Sequence, residues 1–210
     1  MNRLNINSKK GFTIIEVVLV LAIAGLIFLM VFIALPNLQR TRADSQRRQD
    51  VSRLSTALVN FISSNSQLPG GTGDNATIYC VTKSLGDNLD CPNGTTPLPA
   101  GIGTSTNNNV QTIYGKFLYQ YLLASGNDDF DDPNGTHYGV SIVSAGQMNN
   151  QSRSKNYLSG STGYNGIIVV AKGARCGATP DITTFETGAG SRNFAIAIRL
   201  EGSGVYCIDN

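Results

Sequence analysis

The chain opens with one long apolar segment, followed by shorter apolar runs in polar sequence. Residues 12–35 contain a single ionisable side chain, Glu16. As an α-helix this segment would be about 36 Å long, enough to cross a hydrocarbon core of about 30 Å. A helix buried in a soluble core usually keeps a polar stripe, and residues 17–35 have none. The pattern therefore predicts a membrane-spanning helix rather than a core helix.

A cleaved secretory signal is an alternative interpretation of this segment, because Arg3, Lys9 and Lys10 precede it. The apolar region of such a signal has about 7–15 residues and ends at a small-residue cleavage site. This segment is longer and continues into Pro36-Asn37-Leu38. We therefore expect it to remain in the mature protein.

The first residues of the apolar segment carry a family resemblance. Residues 9–24 closely resemble the leader and first helix of type IV pilins and pseudopilins, with the sequence Lys9-Lys10-Gly11-Phe12-Thr13-Ile14-Ile15-Glu16 and then no charge to Ala24. The resemblance implies cleavage after Gly11 by a prepilin peptidase, N-methylation of Phe12, and assembly through the apolar helix into a filament. It also implies that Glu16 pairs with the terminal amine of a neighbouring subunit. The family often has a proline at the position of Ile33, whereas this chain has Pro36, so the position of any helix break stays open.

Glu16 needs a physical explanation, because a carboxylate at the centre of a bilayer costs about 2.5–3.5 kcal/mol and less near an end. A local explanation is the Thr-x-x-Glu capping box that begins at Thr13, where the helix dipole also favours an acid. An intermolecular explanation is pairing in the filament with the ammonium that cleavage creates at Phe12. We favour pairing, because capping alone does not account for the basic-Gly-Phe context.

Residues 38–65 predict an amphipathic stem helix that packs on a globular head. Its apolar stripe recurs close to every 3.6 residues and comprises Val51, Leu54, Leu58, Phe61 and Ile62. A helix continuous over residues 12–65 would be about 80 Å long, and Pro36 could bend it. The stem also carries arginines at positions 40, 42, 47, 48 and 53. We interpret these as a solvated face or as contacts between neighbouring stems, with a DNA- or lipid-binding stripe as the alternative.

The remaining sequence predicts a head of loops and strands. Residues 68–109 are rich in Gly, Asn, Thr and Pro, whereas residues 114–122 have apolar side chains at helical spacing. Strand-like runs at residues 138–143, 166–171, 194–200 and 205–208 suggest an antiparallel sheet. The apolar face of the third run should contact the stem helix; it comprises Phe194, Ile196, Ile198 and Leu200.

We thus predict an α+β fold in which a long amino-terminal helical spine packs against a carboxy-terminal antiparallel sheet. The predicted segments are a leader (1–11), a membrane and assembly helix (12–35), an amphipathic stem (36–67) and a globular head (68–210). A helical spine with a sheet on its apolar stripe resembles the architecture of type IV pilin-like proteins.

Four cysteines in a membrane-anchored chain indicate two disulfides, although four cysteines permit three pairings. We expect Cys80–Cys91 and Cys176–Cys207. The second pair resembles the disulfide-bounded carboxy-terminal region of many pilins. Basic residues flank the apolar segment on both sides and leave its orientation undecided. The disulfides decide it, because they fit an oxidising compartment outside the cytoplasmic membrane. A zinc site built from the four cysteines is disfavoured by the lack of any Cys-x-x-Cys pair.

An acidic run is a candidate calcium loop. It contains Asp128, Asp129, Asp131 and Asp132, and carboxylate oxygens suit calcium, but the run lacks the register of an EF-hand and also resembles an ordinary exposed turn. Calcium-binding loops of major pseudopilins offer a faint resemblance. We expect His137 to be a surface or turn residue. No nucleophile elbow, Walker loop or His-Glu-x-x-His motif is present in the sequence, so we expect no enzymatic activity and no other cofactor.

The resemblance implies a structural protein, the subunit of a type IV pilus used for adhesion, surface motility or DNA uptake. The implied partners are identical or related subunits, the prepilin peptidase and an inner-membrane assembly platform; binding of nucleic acid is left open. The subunit would wait in the cytoplasmic membrane and then enter an extracellular filament. The alternatives are a pseudopilin of a type II secretion system and a membrane-tethered binding or enzymatic ectodomain.

Overall fold

The computed structural model describes residues 11–69, 78–82, 89–99, 110–123, 130–144, 166–177, 185–202 and 204–210. The chain divides into two compact units, Met1–Thr41 and Arg42–Asn210. The first unit contains the apolar part of the long helix α1, and the second contains the rest of α1 and every other element.

Helix α1 spans Ile14–Asn65 and includes Pro36 without an interruption of its helical assignment. It ends where Ser66 adopts a left-handed backbone with φ 59° and donates its N–H to the carbonyl of Ile62 at 2.7 Å. A left-handed residue after the last turn is a common helix terminator. The predicted spine is therefore confirmed as one long helix.

The predicted apolar stripe of the stem is confirmed in the second unit. Val51, Leu54 and Leu58 are fully buried and Phe61 nearly so, whereas Ile62 packs at the edge of the same core. Each fully buried leucine contributes about 1.5–3 kcal/mol relative to an exposed one. The stripe is thus the main attachment of this helical segment to the sheet.

The main sheet has six strands in the order β2-β1-β3-β4-β7-β8. The strands in the described part of the chain are β1 Ile78–Cys80, β2 Thr96–Pro97, β3 Gly139–Ser144, β4 Ile167–Lys172, β5 Ala174–Cys176, β6 Phe185–Thr187, β7 Phe194–Arg199 and β8 Val205–Asp209. The four predicted strand-like runs correspond to β3, β4, β7 and β8. Strands β1 and β2 lie in the segment expected to be loop-dominated.

The sheet is mixed rather than wholly antiparallel. Antiparallel pairs join β1 to β3, β4 to β7, and β7 to β8, but β3 runs parallel to β4 and β1 parallel to β2. Parallel neighbours require a crossover of a dozen or more residues, and residues 145–166 supply one between β3 and β4. The predicted α+β fold with an antiparallel-rich sheet is therefore confirmed, although the predicted runs β3 and β4 pair in parallel.

Two layers cover the opposite faces of the sheet. On one face, Phe194, Ile196 and Ile198 belong to the same core as the α1 stripe, as predicted for this face of β7. That core also contains the short helix α2, Val110–Phe117, and the π-helical turn α3, Leu118–Leu123. The ring of Phe61 contacts those of Phe117 and Tyr121 edge-on, at 5.4 and 5.5 Å between centroids.

The opposite sheet face is covered by the antiparallel pair β5–β6. Its core combines the small residues Ala171, Ala174, Ala195 and Ala197 with the larger side chains of Ile78, Ile167, Val169 and Phe185. Along β4 and β7, the alanines alternate with large side chains that belong to the core shared with α1. Both faces of the central strands are consequently buried.

Candidate processing and assembly site

The predicted cleavage position lies in a non-helical, exposed part of the chain. Gly11, Phe12 and Thr13 precede α1 and have no regular secondary structure. Phe12 is 91% exposed, and a Cβ added to Gly11 would meet no atom within 4 Å. Crowding within the described chain therefore does not explain why position 11 is a glycine. The basic residues expected in the leader, Arg3, Lys9 and Lys10, lie outside the described residues.

Thr13 and Glu16 form the capping box that the sequence suggested. The backbone N–H and the hydroxyl of Thr13 donate to Oε2 of Glu16 at 2.9 and 2.8 Å. In return, the N–H of Glu16 lies 3.4 Å from the hydroxyl oxygen of Thr13. These bonds satisfy backbone donors that a helix amino terminus leaves without partners.

The geometry of Glu16 leaves room for a second partner. Both Thr13 bonds end on Oε2, and Oε1 has no partner among the residues that the structure describes. A carboxylate has about four lone-pair sites, so one oxygen can serve the helix terminus while the other accepts a further donor. Capping and intermolecular pairing are therefore compatible roles of one side chain.

The apolar segment that follows Glu16 has no cover within its own unit. The large side chains of residues 17–35 are exposed, among them Leu21, Phe28 and Ile33 at 65%, 64% and 67%. Helix α1 is the one described helix that is long and apolar enough to cross a membrane by length and composition. In water such a surface would be strongly unfavourable. A membrane or the apolar surfaces of other proteins would remove this cost.

Two disulfides join the cysteine pairs that the sequence analysis expected. Cys80 of β1 is bonded to Cys91, and Cys176 of β5 is bonded to Cys207 of β8. The second bond attaches the outer β5–β6 pair to the edge of the main sheet. In the same place, the carboxylate of Asp209 accepts the backbone N–H of Cys176 at 2.8 Å.

The candidate calcium residues are only partly within the described chain. Asp128 and Asp129 lie outside it. Asp132 is bound by Arg47, and Oδ1 of Asp131 lies 2.5 Å from Nδ1 of His137. No group of acidic, histidine or cysteine side chains in the described ranges is arranged to hold a metal ion. Calcium binding by this loop stays a prediction from the sequence.

The sequence analysis placed Arg47 on a solvated face or at contacts between neighbouring stems, and both interpretations are wrong for this residue. Arg47 is 3% exposed, and its Nε and Nη2 donate to the two oxygens of Asp132 at 2.8 and 2.9 Å. Nη2 also donates to Glu201 at 2.9 Å. Burial by itself lowers the pKa of Arg47, but the bonds and charges of Asp132 and Glu201 outweigh it and raise the pKa. Arg47 is a structural ion-pair residue.

A buried carboxylate, that of Asp50, lies on α1 about one turn after Arg47. Asp50 accepts a hydrogen bond from the hydroxyl of Tyr138 at 3.0 Å and lies 3.7 Å from Nη1 of Arg53. Burial raises the pKa of Asp50, although the Tyr138 bond and the Arg53 charge oppose this effect. Burial and the adjacent Asp50 charge raise the pKa of Tyr138. Every buried side-chain nitrogen and oxygen in the described part of the chain has a partner.

Residues 6–32 match the family model of the prokaryotic N-terminal methylation motif. Comparisons with curated proteins and with solved structures gave no significant match. The matched residues include the predicted cleavage position, the capping box and most of the exposed apolar segment. The chain therefore carries the class III leader signature of the type IV pilin and pseudopilin class.

Proposed function

We propose that this chain is a structural subunit of a type IV pilus. The observation that carries the proposal is the methylation motif at residues 6–32, which includes most of an apolar helix segment that has no cover in its own unit. In the proposed life cycle, a prepilin peptidase cuts after Gly11 and the new amino terminus at Phe12 is methylated. The subunit waits in the cytoplasmic membrane and then enters an extracellular filament.

Assembly moves the apolar helix from lipid to a bundle of like helices. Because lipid tails are as apolar as these side chains, the hydrophobic effect contributes little to this transfer. Packing and polar contacts must therefore select the partner. Oε1 of Glu16 supplies an acceptor for the terminal ammonium of a neighbouring subunit, in surroundings where a charged pair is weakly screened.

Substitutions at Glu16 separate pairing from capping. Glu16→Gln keeps a side-chain oxygen for the capping box but removes the charge, whereas Thr13→Ala removes the hydroxyl of the box but keeps the charge. We expect Glu16→Gln to remain in the membrane and to lose most filaments, and Thr13→Ala to retain them. Normal filament yield from Glu16→Gln would reject the pairing role.

The filament itself is tested by electron microscopy of sheared cell-surface fibres and mass spectrometry of their subunits. An abundant polypeptide that begins at methylated Phe12 supports a pilus subunit. Short periplasmic fibres with the same amino terminus would favour a pseudopilin, which the motif fits equally well. A monomer that tolerates any apolar replacement of residues 12–35 would favour a tethered ectodomain and refute the proposal.

A further inference from the structure

A groove of about 570 Å³ runs along the stem part of α1 within the second unit. Side chains of α1 from Arg48 to Asn60 line it together with Tyr121 and Leu122 of α3 and Tyr206 of β8. The α1 positions extend over about 18 Å of helix. The volume is in the usual range for small-molecule sites, and the length suits a short linear ligand.

The charges that line the groove are positive. Among the described lining residues the ionised side chains are Arg48 and Arg53, and none is acidic. The guanidinium carbon of Arg48 lies 5.5 Å from the ring centroid of Tyr206, which holds the cation beside an aromatic wall. Arg53 lies over Phe130 at 5.6 Å and retains 39% exposure of its side chain. Asp50, the carboxylate nearest to Arg53, is buried and bonded to Tyr138.

The rest of the lining combines neutral hydrogen-bonding groups with the apolar side chains of Ala57 and Leu122. Gln49 and Asn60 each present an amide, which both donates and accepts. The hydroxyls of Ser52 and Thr56 donate to carbonyls of α1, at 3.0 and 2.9 Å, and keep lone pairs to accept from a ligand. Tyr121 of α3 adds an aromatic side chain to the same lining. Such a lining fits a molecule with many hydroxyl groups and a small number of negative charges.

We propose that this groove binds a short acidic saccharide, with its carboxylate on Arg48 and its hydroxyls on the amides of Gln49 and Asn60. A sugar carboxylate suits a guanidinium, and a sugar ring can lie against a tyrosine. A nucleic-acid strand fits less well, because its affinity comes mainly from neutralising several phosphates and the groove has only two cations in its described lining, one of them beside Asp50.

The test uses the purified mature protein in non-ionic detergent micelles, with trigalacturonate as the probe. We expect saturable shifts of the NMR signals of the groove residues. The uncharged trisaccharide maltotriose should bind at least about tenfold more weakly, which corresponds to about 1.4 kcal/mol. An oligothymidylate of about ten nucleotides should bind more weakly than trigalacturonate.

Variants localise the binding. Arg48→Ala should weaken trigalacturonate binding about tenfold or more, and Arg48→Lys, which keeps the charge, should lose less. The matched control is Arg42→Ala, because Arg42 is an exposed arginine of the same helix outside the groove lining. Arg48→Ala and Arg42→Ala should each keep the melting temperature within a few degrees of the parent protein, because both arginines are exposed.

Four results would overturn the proposal: no binding up to about 10 mM trigalacturonate, equal affinity for maltotriose, tighter binding of the oligothymidylate, or equal losses in Arg48→Ala and Arg42→Ala. The groove lies wholly within residues 42–210, and the titration uses unassembled protein. Its outcome is therefore independent of whether the chain forms filaments.

Discussion

Replacing Arg47 with methionine is the sharpest perturbation of the second unit. Methionine approximates the volume of the arginine stem but removes both bonds to Asp132, whose side chain has no exposure. Asp132 would keep one bond from the backbone N–H of Asn134 at 3.0 Å. Glu201 would suffer less, because its side chain is 32% exposed and also accepts from the amide of Asn134. The cost should therefore come mainly from Asp132.

Removing one member of a buried ion pair usually costs about 3–5 kcal/mol, because the other charge is left without compensation. We expect a loss of this size for Arg47→Met at neutral pH. Adding Asp132→Asn should return a substantial part of it, since the double variant buries no unpaired charge. Arg48→Met, at the adjacent exposed position, is the control and should cost less than about 1 kcal/mol.

Urea unfolding of the mature protein in micelles measures these differences. The chain has eight tyrosines and no tryptophan, so near-ultraviolet circular dichroism of tyrosine reports on the packed head. A loss below about 1 kcal/mol, or a loss that adds fully with that of Asp132→Asn, would refute this account of the ion pair.

Three further predictions concern stability. Burial raises the pKa of Asp50, so the folded state holds this proton more tightly than the unfolded state. In paired thermal melts, the unsubstituted protein should therefore lose stability relative to Asp50→Asn as the pH rises above about 4. The opposite trend would contradict the burial of this carboxyl. Leu54→Ala should lower the free energy of unfolding by about 2–5 kcal/mol, against less than about 1 for exposed Val59→Ala, in the same urea assay. Replacing Cys176 and Cys207 together with serine should cost about 3–4 kcal/mol, by calorimetry, because this bond closes a separation of 31 residues; an unchanged transition would show that the bond restrains little.

The parts of the fold that the sequence predicted are those encoded by local periodicity. The stripe at Val51, Leu54 and Leu58 repeats at helical spacing, and the alternation in β7 repeats at strand spacing, so each fixes its own buried face. The β7–β8 hairpin follows because a short turn joins two such runs. The start of α1 was readable as well, since a capping box is a contact between neighbouring turns.

The parts that the sequence did not predict depend on distant contacts. Strands β3 and β4 pair in parallel, and a long segment of chain separates them. The residue pattern of a strand shows which face is buried but not the direction of its neighbour. The burial of Arg47 depends on Asp132, which is 85 residues away. A signal was nevertheless present, because Arg47 lies four residues before Val51 and seven before Leu54, and so continues their stripe. An arginine in register with an apolar stripe indicates a buried partner.

The alanines beneath β5–β6 set a limit on how this protein can diverge. Ala195 and Ala197 are small and share a core with the β5–β6 pair, which is fastened to the sheet edge through Cys176. A bulkier residue at either alanine would have to push this pair outward against that covalent tether, since close-packed interiors have little spare volume. These two positions should therefore change only among the smallest side chains, whereas exposed residues such as Val59 of α1 meet no such restriction.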